Sequence, residues 1–378
     1  VCAFVASPVV VGYEMWLFYH TPVITFLALG VWGTLRFYER RTFRAALFAF
    51  GMFTVVALFR NLYGVAWLAG VSLVVLARPP AIGDPRLMRR RALVAALLCI
   101  GLVGGWNLKT HLLVGSGGGG ALATMNLAER IWRRLPGPER ERLLAEGKVS
   151  AAVTREPFTP IERHGELRVP HAPTGVSLLD MTVTPTGQRN HHALEILLLA
   201  QRHTRNDARY LLRHYPEVYL ADVRGALRDW YISTPSRDMV YGRSANKRLA
   251  DRVEQPILRA LGADQHGRVP LLGWLLPLLV LFGVDRALLR APVASERAQR
   301  GALQIGLLTL VYATLATTLV SFGDYSRYRF DLDPLYLVLF ALLVEQSLRL
   351  AAHAWRRARA MLGRPRDGAG HGPTPAPA

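Results

Sequence analysis

The chain has 378 residues, 51% of them hydrophobic, and a formal net charge of +19 at pH 7. Its only two cysteines, Cys2 and Cys99, lie inside apolar stretches, which excludes a disulfide-stapled domain and a CxxC metal site. We expect both thiols to be small buried hydrophobic groups. A positive charge of this size is compatible with nucleic-acid binding, so the distribution of the charges along the sequence is needed to identify their partner.

Seven apolar stretches follow one another along the chain. They are residues 16–37, 45–59, 62–77, 92–114, 269–284, 302–322 and 333–350. Each is long or nearly long enough to cross a hydrocarbon core of about 30 Å as a helix. The sequence therefore predicts an all-α protein, a polytopic transmembrane bundle of about seven spans preceded by a partial N-terminal helix.

Arginine is concentrated in every second connection between these stretches. The arginines concerned are Arg36, Arg40, Arg41, Arg44, Arg78, Arg86, Arg89, Arg90, Arg91, Arg286, Arg290, Arg297, Arg300, Arg356, Arg357, Arg359, Arg364 and Arg366. With Arg349, these connections hold 19 basic residues against five acidic ones. The positive-inside rule makes them cytoplasmic and predicts a multi-pass protein of the inner (plasma) membrane. Membrane lipid is then the expected partner of the charge, and no nucleic acid is expected.

Residues 1–11 form an apolar run that lacks the charged region and the cleavage site of a signal peptide. The alternation of connections makes this run the outer half of a helix directed outward. We therefore expect the sequence to be truncated at its N-terminus, with one or more spans upstream.

The second and third stretches, 45–59 and 62–77, are short for a full crossing. Both outer flanks of the pair are basic, so a re-entrant hairpin would satisfy the charge pattern as well as two spans would. We favour two spans because Phe43 and Phe59 extend the first run and because local bilayer thinning costs little.

Four regions follow from this pattern. Residues 1–114 and 269–352 are transmembrane, residues 115–268 form an extracytoplasmic and mainly helical insert, and residues 353–378 are a basic tail that we expect to be disordered. The insert opens with the glycine tract 115–120. This tract lacks both GxxxxGK[ST] and GxGxxG, so we interpret it as a linker.

Three helices are predicted in the insert. One begins at Pro138 and ends at Gly147, and a second covers 190–203 with Asn190 as its N-cap. The third covers 216–233, where apolar residues recur at three- and four-residue spacing and predict a buried face. That face consists of Leu220, Val223, Leu227 and Trp230.

Four basic residues fall at the predicted outer ends of the spans, where few charges occur: Arg60, Lys109, Arg327 and Arg329. Ionisable groups at membrane depth are costly unless they are paired or functional. A cationic set at the outer leaflet suits a lipid-linked phosphate. Snorkelling of Arg60, interfacial anchoring by Lys109 and local pairing of Arg327 or Arg329 with aspartate are the structural alternatives.

No catalytic residue can be named from the residue types alone. The histidines His164, His171, His191 and His192 lie in the insert without HExxH spacing, and the chain has no GxSxG motif. The sequence thus supports neither a metal centre in the insert nor a serine nucleophile.

Five segments resemble one large group of bacterial integral membrane proteins. They are SPVVVGYEMWLFYHTPV (7–23), ALFRNLYGVAWL (57–68), WNLKTHLLVGSGGGGALATMNLAER (106–130), GVSLLDMTVTPTGQRNHH (175–192) and SRYRFDLDPLYLVL (326–339). That group is classed with the GT-C glycosyltransferases, broad relatives of aminoarabinose transferases and protein O-mannosyltransferases. The resemblance runs through most of the chain.

The resemblance implies a helical bundle that takes a sugar from a polyprenyl-phosphate donor and passes it to a cell-envelope glycan or lipid. It places the catalytic acid in a first outer loop upstream of this sequence. The four basic residues above would then bind the donor phosphate. Glu14, Asp324 and Asp331 are candidates to bind the acceptor or a divalent metal. The alternative is a non-catalytic or degenerate membrane protein, or a lipid-linked glycan transporter.

Overall fold

The computed structural model describes residues 20–60, 62–77, 84–114, 120–155, 159, 161–183, 190, 193–233, 252, 256, 259–263, 268–289, 297–321 and 325–362. The predictions for Cys2, the N-terminal run 1–11, residues 115–119 of the glycine tract, and the tail after residue 362 lie outside these residues. Within them the chain is helical and forms no β-strand beyond one isolated bridge between Ser233 and Arg268. The all-α prediction is confirmed at this level.

Before the insert the chain forms α1 (His20–Arg40), α2 (Phe43–Phe59), α3 (Val65–Ala77) and α4 (Pro85–Val114). The insert contributes α5 (Gly120–Arg134), α6 (Gly137–Ala145), α7 (Ser177–Asp180), α8 (Leu194–Leu199), α9 (Arg205–His214) and α10 (Pro216–Ile232). A π-helical turn, Ala200–Thr204, joins α8 to α9. After the insert come α11 (Pro270–Val284), α12 (Arg297–Val320), α13 (Tyr325–Phe330) and α14 (Asp333–Leu362).

The seven predicted stretches overlap α1 to α4, α11, α12 and α14. Most bounds agree to within five residues, but α4 begins seven residues earlier than predicted and α14 ends 12 residues later, at Leu362. The last ten residues of α14 thus belong to the region 353–378 for which the sequence predicted a disordered tail. Among the described residues, four helices are long and apolar enough to cross a membrane: Pro85–Leu112, Pro270–Leu288, Ala298–Val320 and Asp333–Arg357. The chain is therefore a candidate membrane protein by helix length and composition, while seven spans stay a prediction. With 17 and 13 residues, α2 and α3 rise about 26 and 20 Å, so the re-entrant alternative stays open.

Close packing of α1 on α2 forms one side of the bundle. A Cβ atom on Gly33 would lie 2.9 Å from the Cα of Ala49, so only glycine permits this approach. On α4 the small residues Ala92, Ala95 and Cys99 are buried, whereas Leu98 and Leu102 on the other side are more than half exposed. The buried thiol of Cys99 agrees with its prediction, and the exposed leucines form the surface that lipid would cover.

Two of the arginine-rich connections are in contact at one end of the bundle, and a third is closed by an arginine of its own. Arg91 at the start of α4 donates a hydrogen bond to the carbonyl of Arg41, between α1 and α2. Arg300 at the start of α12 donates to the carbonyls of Ala287 and Leu288, at 2.5 and 2.8 Å, in the π-helical turn that ends α11. Cations at helix C-termini satisfy carbonyls that have no partner within the helix.

Two side chains hold the insert on the opposite end of the bundle. Arg130 of α5 donates from Nε to Asp222 of α10 at 2.6 Å and from Nη1 to the carbonyl of Thr318 at 2.6 Å. The hydroxyl of Tyr219 donates to the carbonyl of Leu319 at 2.9 Å. Both carbonyls belong to the last turn of α12, so the insert covers the end of this helix that lies away from the arginine-rich connections.

The prediction for α6 is confirmed, because the helix covers Gly137–Ala145 and Gly147 follows with a φ of 64°. The N-cap prediction for the next helix is wrong. Ala193 is the residue before α8, and the side-chain amide of Asn190 instead donates to the carbonyls of Leu178 and, at 2.8 Å, Met181. Asparagine side chains bond to nearby carbonyls as readily as they cap helices, and here the preceding loop takes the amide.

The predicted buried face of α10 is confirmed at Trp230, which is fully buried, and is wrong at Leu220 and Leu227. Leu220 and Leu227 are 52% and 38% exposed, whereas the buried residues are Asp222, Ala226 and Trp230. The reason is Asp222, whose carboxylate pairs with Arg130 and also with Arg134, which lies 2.8 Å away. Two guanidinium groups turn a polar face of the helix inward, and the leucines rotate to the surface.

Candidate functional site

Three ionisable side chains come together at the end of the bundle that carries the insert. His20 is the first residue of α1, Arg60 follows the last residue of α2, and Asp331 lies between α13 and α14. Their relative exposures are 0%, 5% and 1%. We refer to His20, Arg60 and Asp331 as the outer cluster. Ionisable groups buried in an apolar bundle are a candidate functional site by default.

Asp331 is the centre of the outer cluster. Its Oδ1 lies 2.5 Å from Nδ1 of His20, and its Oδ2 forms an ion pair with the guanidinium of Arg60. Because an ionised carboxylate only accepts hydrogen bonds, His20 must carry its proton on Nδ1 and donate it to Asp331. Nδ1 then cannot accept from Nη1 of Arg60, 3.3 Å away, so this contact is not a hydrogen bond.

Two aromatic rings pack against the side chains of Arg60 and His20. The guanidinium of Arg60 lies over the ring of Tyr328, 4.6 Å from its centroid, which is a favourable cation–π geometry. The ring of Phe330 meets His20 edge to face, with centroids 5.9 Å apart. The six-residue helix α13 and the turn after it thus supply the carboxylate and both rings. The segment SRYRFDLDP (326–334) therefore supplies three of the side chains in and around the outer cluster: Tyr328, Phe330 and Asp331.

Arg329 lies beside the outer cluster but binds elsewhere. Its side chain is 2% exposed, and Nη1 donates to the carbonyls of Trp230 at 2.5 Å and Tyr231 at 2.9 Å. Nε donates to Asp333 at 3.3 Å. The carbonyls are in the last turn of α10, so Arg329 joins α13 to the insert as a cation at a helix C-terminus. This is the local Arg–Asp pairing that the sequence left open, with an additional connection to the insert.

The other predicted site residues are placed differently. Lys109 is exposed on α4, with Nζ 4.8 Å from the ring centroid of Trp106, the geometry of an interfacial anchor. No contact described here joins Lys109 to the outer cluster. The backbone of Arg327 belongs to α13, but its side chain is outside the described part. Glu14 and Asp324 also lie outside the described residues. Of the predicted set, the structure thus brings Arg60 and Asp331 together.

Sequence reasoning missed His20. The histidines of the insert were considered as possible metal ligands, whereas His20 lies inside an apolar segment and has no neighbouring motif. A histidine within a predicted membrane stretch is itself the signal, since it has to find a partner at that depth. Its partner, Asp331, is 311 residues away along the chain.

The described residues do not contain a group of three or more His, Cys, Asp or Glu side chains that could hold a metal ion. His20 and Asp331 are two such residues, but the third member of their cluster is an arginine. A cation beside Arg60 would meet a like charge, so the outer cluster fits an anion better than a divalent metal.

The comparisons with known proteins identify no relative: no protein-family model, no curated protein and no solved structure matches the chain.

Proposed function

We propose that the chain is an integral membrane glycosyltransferase. It would transfer a sugar from a polyprenyl-phosphate donor to a glycan or lipid of the cell envelope, on the extracytoplasmic face. The observation that carries the proposal is the outer cluster, a buried arginine held by a carboxylate and an aromatic ring opposite the arginine-rich end. The resemblance of the surrounding segments to GT-C glycosyltransferases supports the same reaction class.

The proposed reaction is an inverting displacement. A hydroxyl oxygen of the acceptor attacks the anomeric carbon, the bond from that carbon to the phosphate oxygen breaks, and polyprenyl phosphate leaves with the bonding electron pair. The hydroxyl proton passes to a general base, a role that the proposal assigns to none of the described side chains. Negative charge grows on the leaving phosphate, so a cation already in position lowers the barrier.

Arg60 is the side chain proposed to meet that charge. Asp331 and Tyr328 hold its guanidinium in one orientation, which reduces the reorganisation needed when the phosphate arrives. Displacement of Asp331 by a phosphate would leave its buried carboxylate without a counter-charge, which is costly. The proposal is therefore that Arg60 keeps its ion pair with Asp331 and shares its guanidinium between this carboxylate and the incoming phosphate. Lys109 and Arg327 remain candidates for further phosphate contacts, and Arg329 positions α13.

The experiment is sugar transfer by the full-length protein in liposomes, with radiolabelled polyprenyl-phosphate sugars and envelope lipids or glycans as acceptors. Arg60→Gln should abolish transfer, and Arg60→Lys should restore part of it if a point charge suffices. Arg349→Gln is the matched control, because Arg349 is exposed and pairs with Glu345 on the same helix as Asp333. Absence of transfer from every donor in the panel would contradict the proposal.

One observation favours the alternative of a non-catalytic envelope protein or a lipid-linked glycan transporter. The ion pair of Arg60 with a fully buried carboxylate is what a purely structural cluster would also contain. The two functions differ in the same liposomes: a transporter would bind or move the lipid-linked sugar without forming a product. Arg60→Gln should then change stability and leave binding of the carrier lipid unaltered.

A further inference from the structure

A second basic feature lies on the insert, on elements that do not contribute to the outer cluster. It is an open groove of about 600 Å³. Three arginines, Arg202, Arg205 and Arg209, line it together with the side chains of Gln201 and Asn206 and two aliphatic residues. We call it the arginine groove. Its volume is within the range of sites for small organic ligands.

The local helix geometry explains why the three arginines share one side. Arg202 lies in the π-helical turn, and Arg205 and Arg209 lie in α9, three and seven residues further on. Residues at this spacing occupy one face of a helix. The opposite face is buried through Ala208 and Leu211, which pack in the core of the insert. The arginines therefore cannot turn inward, and all three are exposed.

The charge of the groove is not balanced in the way that other charges of the insert are. Arg130 lies 2.6 Å from Asp222, and Arg168 lies 2.6 Å from Glu195. Among the described side chains, Arg202, Arg205 and Arg209 form no ion pair, and those that line the groove include no carboxylate. Like charges three and four residues apart on a helix repel each other. An anion between them would remove that repulsion.

We propose that the arginine groove is a binding site for a phosphate or diphosphate group carried on a larger molecule. A guanidinium presents two parallel N–H donors that match two phosphate oxygens, so three of them suit a multiply charged anion. The side-chain amide of Asn206, which also lines the groove, provides a further N–H donor. The group could belong to an anionic lipid headgroup or to a soluble phosphorylated molecule. This site is additional to the proposed sugar transfer and does not depend on it.

The test measures binding of inorganic pyrophosphate to the full chain by calorimetry, in nanodiscs of phosphatidylcholine. The double variant Arg205→Gln/Arg209→Gln should weaken binding by roughly 100-fold or more, since each charge-assisted contact contributes roughly tenfold or more. The control, Arg224→Gln/Arg228→Gln, removes the same charge from exposed positions of α10 outside the groove. It should change affinity by less than about threefold, the effect of screened long-range charge.

Equal weakening by both double variants, or no binding of pyrophosphate by the wild-type chain, would overturn the proposal. A second arm identifies the source of the phosphate. If pyrophosphate binds more weakly in nanodiscs that contain phosphatidylglycerol, and only while Arg205 and Arg209 are present, the groove takes a lipid headgroup. If its affinity is the same in both lipids, the groove takes a soluble phosphorylated ligand. Both results support the site.

Discussion

Replacing Asp331 with asparagine keeps the shape of the side chain at the centre of the outer cluster and removes its charge. The Asp331 side chain is fully buried, and Arg60 is 5% exposed, so solvent screens this ion pair little. The variant leaves a buried guanidinium without its counter-charge, which costs about 3–5 kcal/mol. This corresponds to a shift of roughly 150- to 5,000-fold in the unfolding equilibrium.

The measurement is unfolding of the chain in mixed micelles, followed by helical content against denaturant. Glu345→Gln is the matched control, because Glu345 pairs with Arg349 on the same helix, but the two side chains are 53% and 77% exposed. An exposed pair contributes less than about 1 kcal/mol. The reasoning is refuted if Asp331→Asn destabilises the chain no more than the control does, since Arg60 would then have no need of this carboxylate.

Three further outcomes are expected. Arg329→Ala should lower stability by about 2–5 kcal/mol in the same unfolding assay, because the buried carbonyls at the end of α10 lose their donor, while carrier-lipid affinity changes little. Single cysteines near Gly187 and Gly370 should react differently with an impermeant reagent in intact cells, the first labelled and the second protected. Hydrogen bonds from Arg142 and then Tyr215 lower the pKa of Glu139 from 4.5 to about 2. The ionised Glu139 therefore stabilises the fold above pH 4.5, and this contribution is lost as the pH falls towards 2. Thermal unfolding of the wild-type chain should show this pH dependence, and Glu139→Gln should remove it.

The long apolar helices could be predicted from the sequence because two independent signals agree there. Apolar length marks each helix, and the arginines mark one end of it. The contact of Arg91 with the carbonyl of Arg41 joins two of the predicted cytoplasmic connections, as a common end requires. Both signals are local, and neither needs knowledge of which helices touch.

The partners inside the outer cluster were beyond that reasoning. Arg60 and Asp331 were both candidates, but their pairing depends on how α2 packs against the turn after α13, which no local pattern encodes. His20 entered the cluster through the same packing. The sequence identified Arg60 and Asp331 as ionisable residues that are costly to bury. The tertiary structure determines that they pair with each other and that His20 joins them.

The error at α10 has a related cause. Apolar periodicity assumes that the core attracts leucine more strongly than it attracts charge. In this insert Arg130 binds both Asp222 of α10 and the end of α12. Because Asp222 has to face Arg130, the side of α10 that carries this carboxylate is turned towards the bundle. Leu220 and Leu227 then face outward. Polar anchoring of a lobe on a helix end can therefore override an amphipathic pattern.

A double replacement separates the structural role of the outer cluster from its proposed role in transfer. Arg60→Met with Asp331→Leu removes both charges and leaves apolar side chains of similar length in the same space. Replacing a complete buried pair in this way is often neutral or stabilising, in contrast to the loss of one partner. We therefore expect the double variant to recover part of the roughly 3–5 kcal/mol lost in Asp331→Asn, and not all of it, because the Nδ1–H of His20 loses its acceptor. If the cluster only holds α1, α2 and α13 together, carrier-lipid binding and any transfer should survive in this variant. If Arg60 meets the donor phosphate, a stable chain should lose transfer altogether, and this combination of retained stability and lost activity is the result that the proposed function requires.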